Sequence, residues 1–283
     1  MLRKQVVMCN PYFYDVTYEL STNPWMNLQN LPDKDLAVRQ WQDLYSNFSR
    51  KDIEITWMPG YSGLSDMVFV ANAGLPVGKN FILSRFFHSE RGLEVPHIRH
   101  FLSSRFNVIE LPGRGYFEGQ GDAMFINPET LVVGYGVRTN LDGIQNLSDV
   151  LRRIAPEVKI VPLKMRPQKD YADGEKMFYH LDTCLKYFMG VGRFVAYSEA
   201  FTLEAEETIY RLGSVVNVSQ REAESFACNS VEARDTIFTP NLPDDSVLFE
   251  LYSTWGYEVL EHNVSEFIKS GGAVKCLTLE LNG

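Results

Sequence analysis

Internal repetition restricts the fold of this chain more than any other feature. A short β-branched strand pattern recurs as DIEITWMP, FNVIELP, VKIVPLK, GSVVNVS and YEVLEHN. After a loop of variable length each is followed by a second apolar run: DMVFVANAGL, DAMFINP, FYHLDTCLKYF, FACNSVEA and AVKCLTLEL. In the earlier copies a third run follows, as NFILSRF, TLVVGYG, RFVAYSE and DTIFTP. Helical patterns separate the units, among them DKDLAVRQWQDLYSNFSR, LDGIQNLSDVLRRIA, EAFTLEAEETIYRLG and LPDDSVLFELYSTWG. Five units at a period of roughly fifty to sixty residues signal a propeller-like array. KQVVMCNP near the N-terminus then supplies the strand that closes the ring with the C-terminal unit. Closure hides the sheet edges and points equivalent loops at one central axis.

Composition limits what such a ring can do. With 45% hydrophobic and 13% aromatic residues in 283, the chain is globular, and it reads as one domain over 1–283. A net charge of -9 argues against a nucleic-acid footprint and suits a cationic or zwitterionic small molecule. Cys9, Cys184, Cys228 and Cys276 are widely spaced and form no CxxC pair, so neither a zinc ribbon nor a disulfide framework is expected. His97 and His100 stand three apart, but a solvated helix face accounts for them better than a metal. The first residues lack the apolar core of a secretory signal, and no segment is long enough to span a membrane. The expectation is a cytoplasmic protein with no cofactor and no metal; assembly into a homo-oligomer is left open.

Polar residues stand in or just before the second run of every unit. They are Asp66 and Asn72, then Glu118 and Asp122, then His180 and Asp182, then Asn229, and last Cys276. Taken singly, each has an ordinary explanation. His180 suits a satisfied strand histidine, Glu118 the cap of a Gly-rich turn, Asp122 and Asp182 solvated strand-edge charges, and Cys276 a small buried hydrophobe. A shared axis changes their meaning, because one thiol, one imidazole and several carboxylates would then meet. That is the composition of a thiol-nucleophile site for a cationic substrate.

FEGQGDAMF, FYHLDTCL and SGGAVKCLTLEL, in that order, resemble the signature regions of the guanidine-modifying penteins. That family includes arginine deiminases, dimethylarginine dimethylaminohydrolases, amidinotransferases and arginine dihydrolases. The resemblance runs from CNPYFYDVTYELSTNPWM to the last strand. It implies an α/β pentein fold, a five-bladed pseudo-fivefold propeller of ββαβ units, with Cys276, His180 and Glu118 as the catalytic centre. It also implies a substrate-binding set of Asp182, Asp122, Asn72, Asp66, Arg91 and Arg138. Asp182 and Glu118 would pair with the guanidinium, and Arg91 and Arg138 with the amino acid's carboxylate. For Arg91 a plain surface ion pair explains the residue equally well. Gly271 and Gly272 would let the backbone approach the substrate. The charge density of RFFHSERGLEVPHIRH suggests a mobile lid.

One departure bears on the reaction. Deiminases of this family carry an acid where this chain has Asn72, in the run Phe69, Val70, Ala71, Asn72. An amide can donate to a neutral ureido group as well as accept from a cation, so it could hold a citrulline-like intermediate for a second attack. With TYELSTNPWM, this favours the arginine dihydrolases, which form ornithine, ammonia and carbon dioxide. Deimination to citrulline, dimethylarginine hydrolysis, amidino transfer and a catalytically silent binding protein are the alternatives.

Overall fold

The computed structural model describes residues 3–281. Its fifteen strands among those residues form five three-stranded sheets around one axis. Strand β1 (Gln5–Cys9) is joined through helix α1 (Lys34–Arg50) to its parallel neighbour β2 (Glu54–Met58). The next sheet holds β3 (Gly74–Val77), β4 (Asn80–Leu83) and β5 (Asn107–Ile109), with α2 (Val95–Leu102) between the last two. Then come β6 (Ala123–Asn127), β7 (Thr130–Tyr135), α3 (Leu141–Ile154) and β8 (Lys159–Lys164). The fourth blade is β9 (Leu185–Phe188), β10 (Arg193–Ala196), α4 (Leu203–Leu212) and β11 (Ser214–Asn217). The fifth is β12 (Val231–Ala233), β13 (Thr236–Pro240), α5 (Leu248–Thr254) and β14 (Glu258–His262). Last, β15 (Leu279–Glu280) returns to pair antiparallel with β1, Val6 opposite Glu280 and Val7 opposite Leu279.

Each blade therefore has an inner strand antiparallel to a middle strand, and a helical crossover from the middle strand to a parallel outer one. Burial explains why the middle strands are near-continuous apolar runs. Phe81, Ile82, Leu131, Val132, Val133, Phe194 and Val195 are all fully buried, caught between the axis and the outer helices. The helices are ordinary amphipathic ones. In α1, Ala37, Trp41, Leu44 and Phe48 recur at helical spacing on the buried face, and the Asp33 side chain caps the start by accepting from Leu36 N at 2.9 Å.

The expected α/β ring of repeated units, closed by the first strand, is what the structure shows. Its unit boundaries differ from the sequence pattern. The strands that open each repeat, such as DIEITWMP in β2, complete the preceding blade instead of starting a new one. The reason is the parallel crossover, which lays the outer strand beside the middle strand before it. Among the described residues no helix is long and apolar enough to cross a membrane.

Candidate active site

The polar residues of the repeats sit on tight turns that precede the inner strands. The chain turns through 3-10 segments at Ser65–Val68 and Val70–Ala73, a single helical turn at Gly119–Asp122, and another 3-10 turn at Leu181–Thr183. These turns are tied to one another around the axis. Leu181 N donates to Asp122 Oδ1 (3.2 Å), Asn229 Nδ2 to Asp182 O (3.0 Å), Cys276 N to Asn229 Oδ1 (3.1 Å) and Ala71 N to Cys276 O (3.2 Å). Cys276, expected within a strand, lies on the turn before β15.

The thiol has two polar neighbours. Asn229 Nδ2 donates to Cys276 Sγ at 3.2 Å, and Asp182 Oδ2 faces the sulfur at 3.4 Å. Burial first, and the Asp182 charge second, push the Cys276 thiol well above its ordinary range. It therefore rests as the protonated thiol hydrogen-bonded to Asp182 and needs an incoming cation or base to ionise it. Burial likewise pushes Asp182 up to about 7, against the pull of Lys275, Cys276, Asn229 and Lys186.

His180 Nε2 lies 2.7 Å from Glu118 Oε2, and both residues are buried. Burial alone would raise the Glu118 carboxyl. Arg138, the bond and charge of His180, and Arg91 override it and hold Glu118 well below the usual carboxylate range. Its other oxygen accepts from Phe87 N at 2.9 Å. Glu118 is thus an ionised carboxylate anchored beside the imidazole, with Oε2 facing His180 and Arg138 and Oε1 held by Phe87 N.

A cavity of about 20 Å³ opens between these groups, with room for about one water. Its walls include Asp66, Asn72, His180 and Cys276, and Leu20 and Asn23 from the N-terminal segment. Tyr18 donates to Asp66 Oδ2 at 2.8 Å, and Asp66 Oδ1 is buried with no partner among the described residues. Asn72 Oδ1 accepts from Arg91 Nη1 at 2.6 Å, and Asn72 Nδ2 is buried with no acceptor among the described residues. Asp182 Oδ1 also lacks a partner among the described residues, but Asp182 does not line this cavity. On the wall of this cavity one acceptor, Asp66 Oδ1, and one donor, Asn72 Nδ2, thus lack partners among the described residues, and native structures leave few buried polar atoms unpaired.

The arginines differ from each other. Arg91 is 4% exposed and grips Glu94 with both Nε (2.8 Å) and Nη2 (3.0 Å), so its ion pair is buried and not a surface one. Burial pushes Glu94 up to about 7 despite that partner. Arg138 donates from Nε to Thr22 Oγ1 at 2.9 Å, reaches Glu118 at 3.4 Å, and lies over the Tyr179 ring. Asp122 does not reach the cavity. Its Oδ2 takes Thr139 Oγ1 at 2.7 Å and its Oδ1 takes Leu181 N, so it knits two turns together.

Other departures concern the approach to the site. The 85–100 segment is pinned by the buried Arg91 and Glu94 pair, which does not suit a free lid. The cover comes instead from the segment before α1, where Thr22 bridges Arg138 and His88, and Asn23 Nδ2 donates to Ser270 O at 2.9 Å. Gly271 has φ +75°, and a Cβ there would stand 2.5 Å from Tyr179 Oη, so this glycine makes room for a side chain that walls the cavity. Tyr179, Thr22 and Asn23 were not singled out by sequence reasoning, although Thr22 and Asn23 lie in the quoted stretch TYELSTNPWM and Tyr179 in FYHLDTCL. Among the described residues no group of three His, Cys, Asp or Glu is placed to hold a metal ion.

Comparison with known proteins places the chain in a family. A family profile described as N,N dimethylarginine dimethylhydrolase, eukaryotic, matches residues 20–282. The bifunctional arginine dihydrolase/ornithine cyclodeaminase ArgZ of Synechocystis sp. is 37% identical over 284 residues, covering 98% of this chain and 37% of that protein. The chain thus spans little more than a third of the length of that curated relative. The crystal structure of the N-terminal domain of ArgZ bound to product, an arginine dihydrolase from cyanobacteria, matches with a TM-score of 0.88 and 34% identity over 99% of this chain and 98% of that one. A variant of that domain covalently bonded to a reaction intermediate matches at 0.87 and 33%, with the same coverage.

Proposed function

Because this chain belongs to the dimethylarginine dimethylhydrolase family of guanidine-modifying penteins, we propose that it is an arginine dihydrolase, converting L-arginine to ornithine, ammonia and carbon dioxide. The observation that carries this reading is the Asn72 amide. Arg91 fixes its oxygen, and its N–H group is buried at the cavity wall without an acceptor among the described residues. A carboxylate at that position could serve only a cation, whereas an amide N–H can hold the carbonyl oxygen of a ureido intermediate.

In this reading the guanidinium lies against Asp182 and Asp66, and Arg138 meets the carboxylate of the amino acid. Cys276 Sγ attacks the guanidinium carbon, its proton passing to a basic group of the site, and His180 protonates the departing nitrogen, which leaves as ammonia. His180 then takes a proton from water as its oxygen adds to the S-alkylthiouronium carbon, and the C–S bond breaks to give the ureido species. Asn72 holds that species while Cys276 attacks a second time and a second ammonia leaves. Hydrolysis of the resulting thiocarbamate gives a carbamate that falls apart to ornithine and carbon dioxide. Two waters enter and the atoms balance without any cofactor. The relative captured with a covalent intermediate supports the covalent route. We also propose that 1–283 acts as one catalytic domain. The four cysteines are free and buried, which suits a reducing compartment such as the cytoplasm.

The test is product analysis with L-arginine and, separately, with asymmetric dimethylarginine. Two ammonia per arginine with ornithine is the expected result, and Cys276→Ser should lower turnover by at least about a thousandfold. One ammonia with citrulline would make the protein a deiminase. Consumption of the methylated substrate alone would make it a dimethylaminohydrolase, the reading that the family profile favours.

A further inference from the structure

A second cavity, of about 100 Å³, lies further along the axis, where the inner strands run away from the turns. The second residue of each inner strand lines it: Leu75, Met124, Lys186, Glu232 and Glu280. Lys4 and Lys275 complete its charged wall. The volume holds about three waters. Asp182, whose Oδ2 faces the thiol in front, also lines this cavity, so one carboxylate borders both Cys276 and the chamber.

Most of the charged groups of the chamber have partners among the described residues. Glu280 is held by Lys4 at 2.5 Å and Lys275 at 3.8 Å. Glu232 accepts from the backbone of Met189 and Gly190 and from the Tyr257 hydroxyl. Lys186 is 8% exposed and makes neither a hydrogen bond nor an ion pair among the described residues; its Nζ stands 5.7 Å from the Phe188 ring centroid. Asp182 Oδ1 has no partner either. A buried ammonium and a buried carboxylate each cost several kcal/mol when left alone, and both line one chamber with room for water.

We infer that this chamber is the counter-charge half of the active site: Lys186, through the water it encloses and with Lys275 beside it, stabilises Asp182 as a carboxylate and so acts as a positioning residue for the guanidinium and the thiol. The inference rests on the reading of Asp182 as the guanidinium's partner. Burial opposes ionisation of Asp182; Lys275 favours it most, then hydrogen bonds from Cys276 and Asn229, and then Lys186. Tyr179 and Cys184 feel its charge, Asp122 and His180 stand on the adjoining turns, and Lys4, Glu232 and Glu280 act on Lys186 from further back. Removing the Lys186 charge should therefore raise the pH at which Asp182 ionises. The substrate-binding form exists above that pH, so the acid limb of kcat/KM should move upward with it.

The test uses Lys186→Met with [γ-13C]aspartate labelling, the Asp182 resonance being assigned with Asp182→Asn. The expected result is a rise of about one pH unit in the Asp182 midpoint. The acid limb of kcat/KM for L-arginine should shift equally, for a loss of about tenfold on that limb that recovers at higher pH, and Lys186→Arg should behave as wild type. An unmoved midpoint, or a kcat/KM lowered equally at every pH, overturns the inference. A midpoint that moves in a protein inactive on arginine supports the role of Lys186 and sinks the substrate reading instead. Should Lys186→Met fail to fold, Lys186→Gln against Lys186→Arg makes the same comparison of charge.

Discussion

Asn72 is the residue on which the choice of reaction turns, and it can be tested by one substitution. In Asn72→Asp the new carboxylate would pair with Arg91 and offer only acceptors to the cavity, so the ureido intermediate would lose a buried hydrogen bond. Such a bond contributes about 1.5 kcal/mol, or about tenfold in a partition ratio. The ratio of ornithine to citrulline released should fall by about that factor, and an unchanged ratio by product chromatography would show that Asn72 does not hold the intermediate. Asn72 and Cys276 were legible in the sequence because their residue types are unusual at equivalent places in a repeat. Glu94 was not. Three residues after Arg91 in SERGLE, it has the spacing of a surface helix pair, and only the fold shows both members 4% exposed or less.

At the level of elements, the strands and crossover helices follow from periodicity, whereas the turns that carry the chemistry do not. The turn residues Ala273, Val274 and Leu277 are fully buried, so the apolar run passes through the turn into β15 with no break in pattern. The same burial hides where β9 begins after His180. Backbone geometry sets these turns, and Gly271 is where it can be challenged. Gly271→Ala must place a side chain at φ +75° and 2.5 Å from Tyr179 Oη, itself hydrogen-bonded to Gly271 O. It should cost about 1–3 kcal/mol in unfolding free energy and raise KM by displacing Tyr179. Gly92→Ala, where an added Cβ meets nothing, is the control. Equal unfolding midpoints for the two variants would mean that the turn is looser than its contacts indicate.

The whole molecule is a ring held shut by its first strand. β1 is the middle strand of its blade, bonded to β15 on one side and β2 on the other, so the blade exists only when the two ends of the chain meet. That closure was legible because KQVVMCNP carries a strand pattern with no neighbour in its own repeat. The partition of strands among blades was not, since hydrophobicity records that a strand is buried and not which neighbour it pairs with. Val6, Val7, Met8 and Cys9 are fully buried, and large apolar side chains contribute about 1.5–3 kcal/mol each. Their sum approaches the entire stability of a typical domain, about 5–15 kcal/mol. Deleting residues 1–9 should therefore abolish cooperative unfolding, because β2 and β15 become open edges and the turn bearing Cys276 loses the strand behind it. A circular permutant that joins the two ends with a flexible linker and opens the chain at exposed Asp173 keeps every one of these contacts. It should unfold within a few degrees of the parent and retain its turnover. A truncated chain that still unfolds cooperatively near the parent's midpoint would show that four blades and a remnant suffice, and that ring closure does not hold the site together.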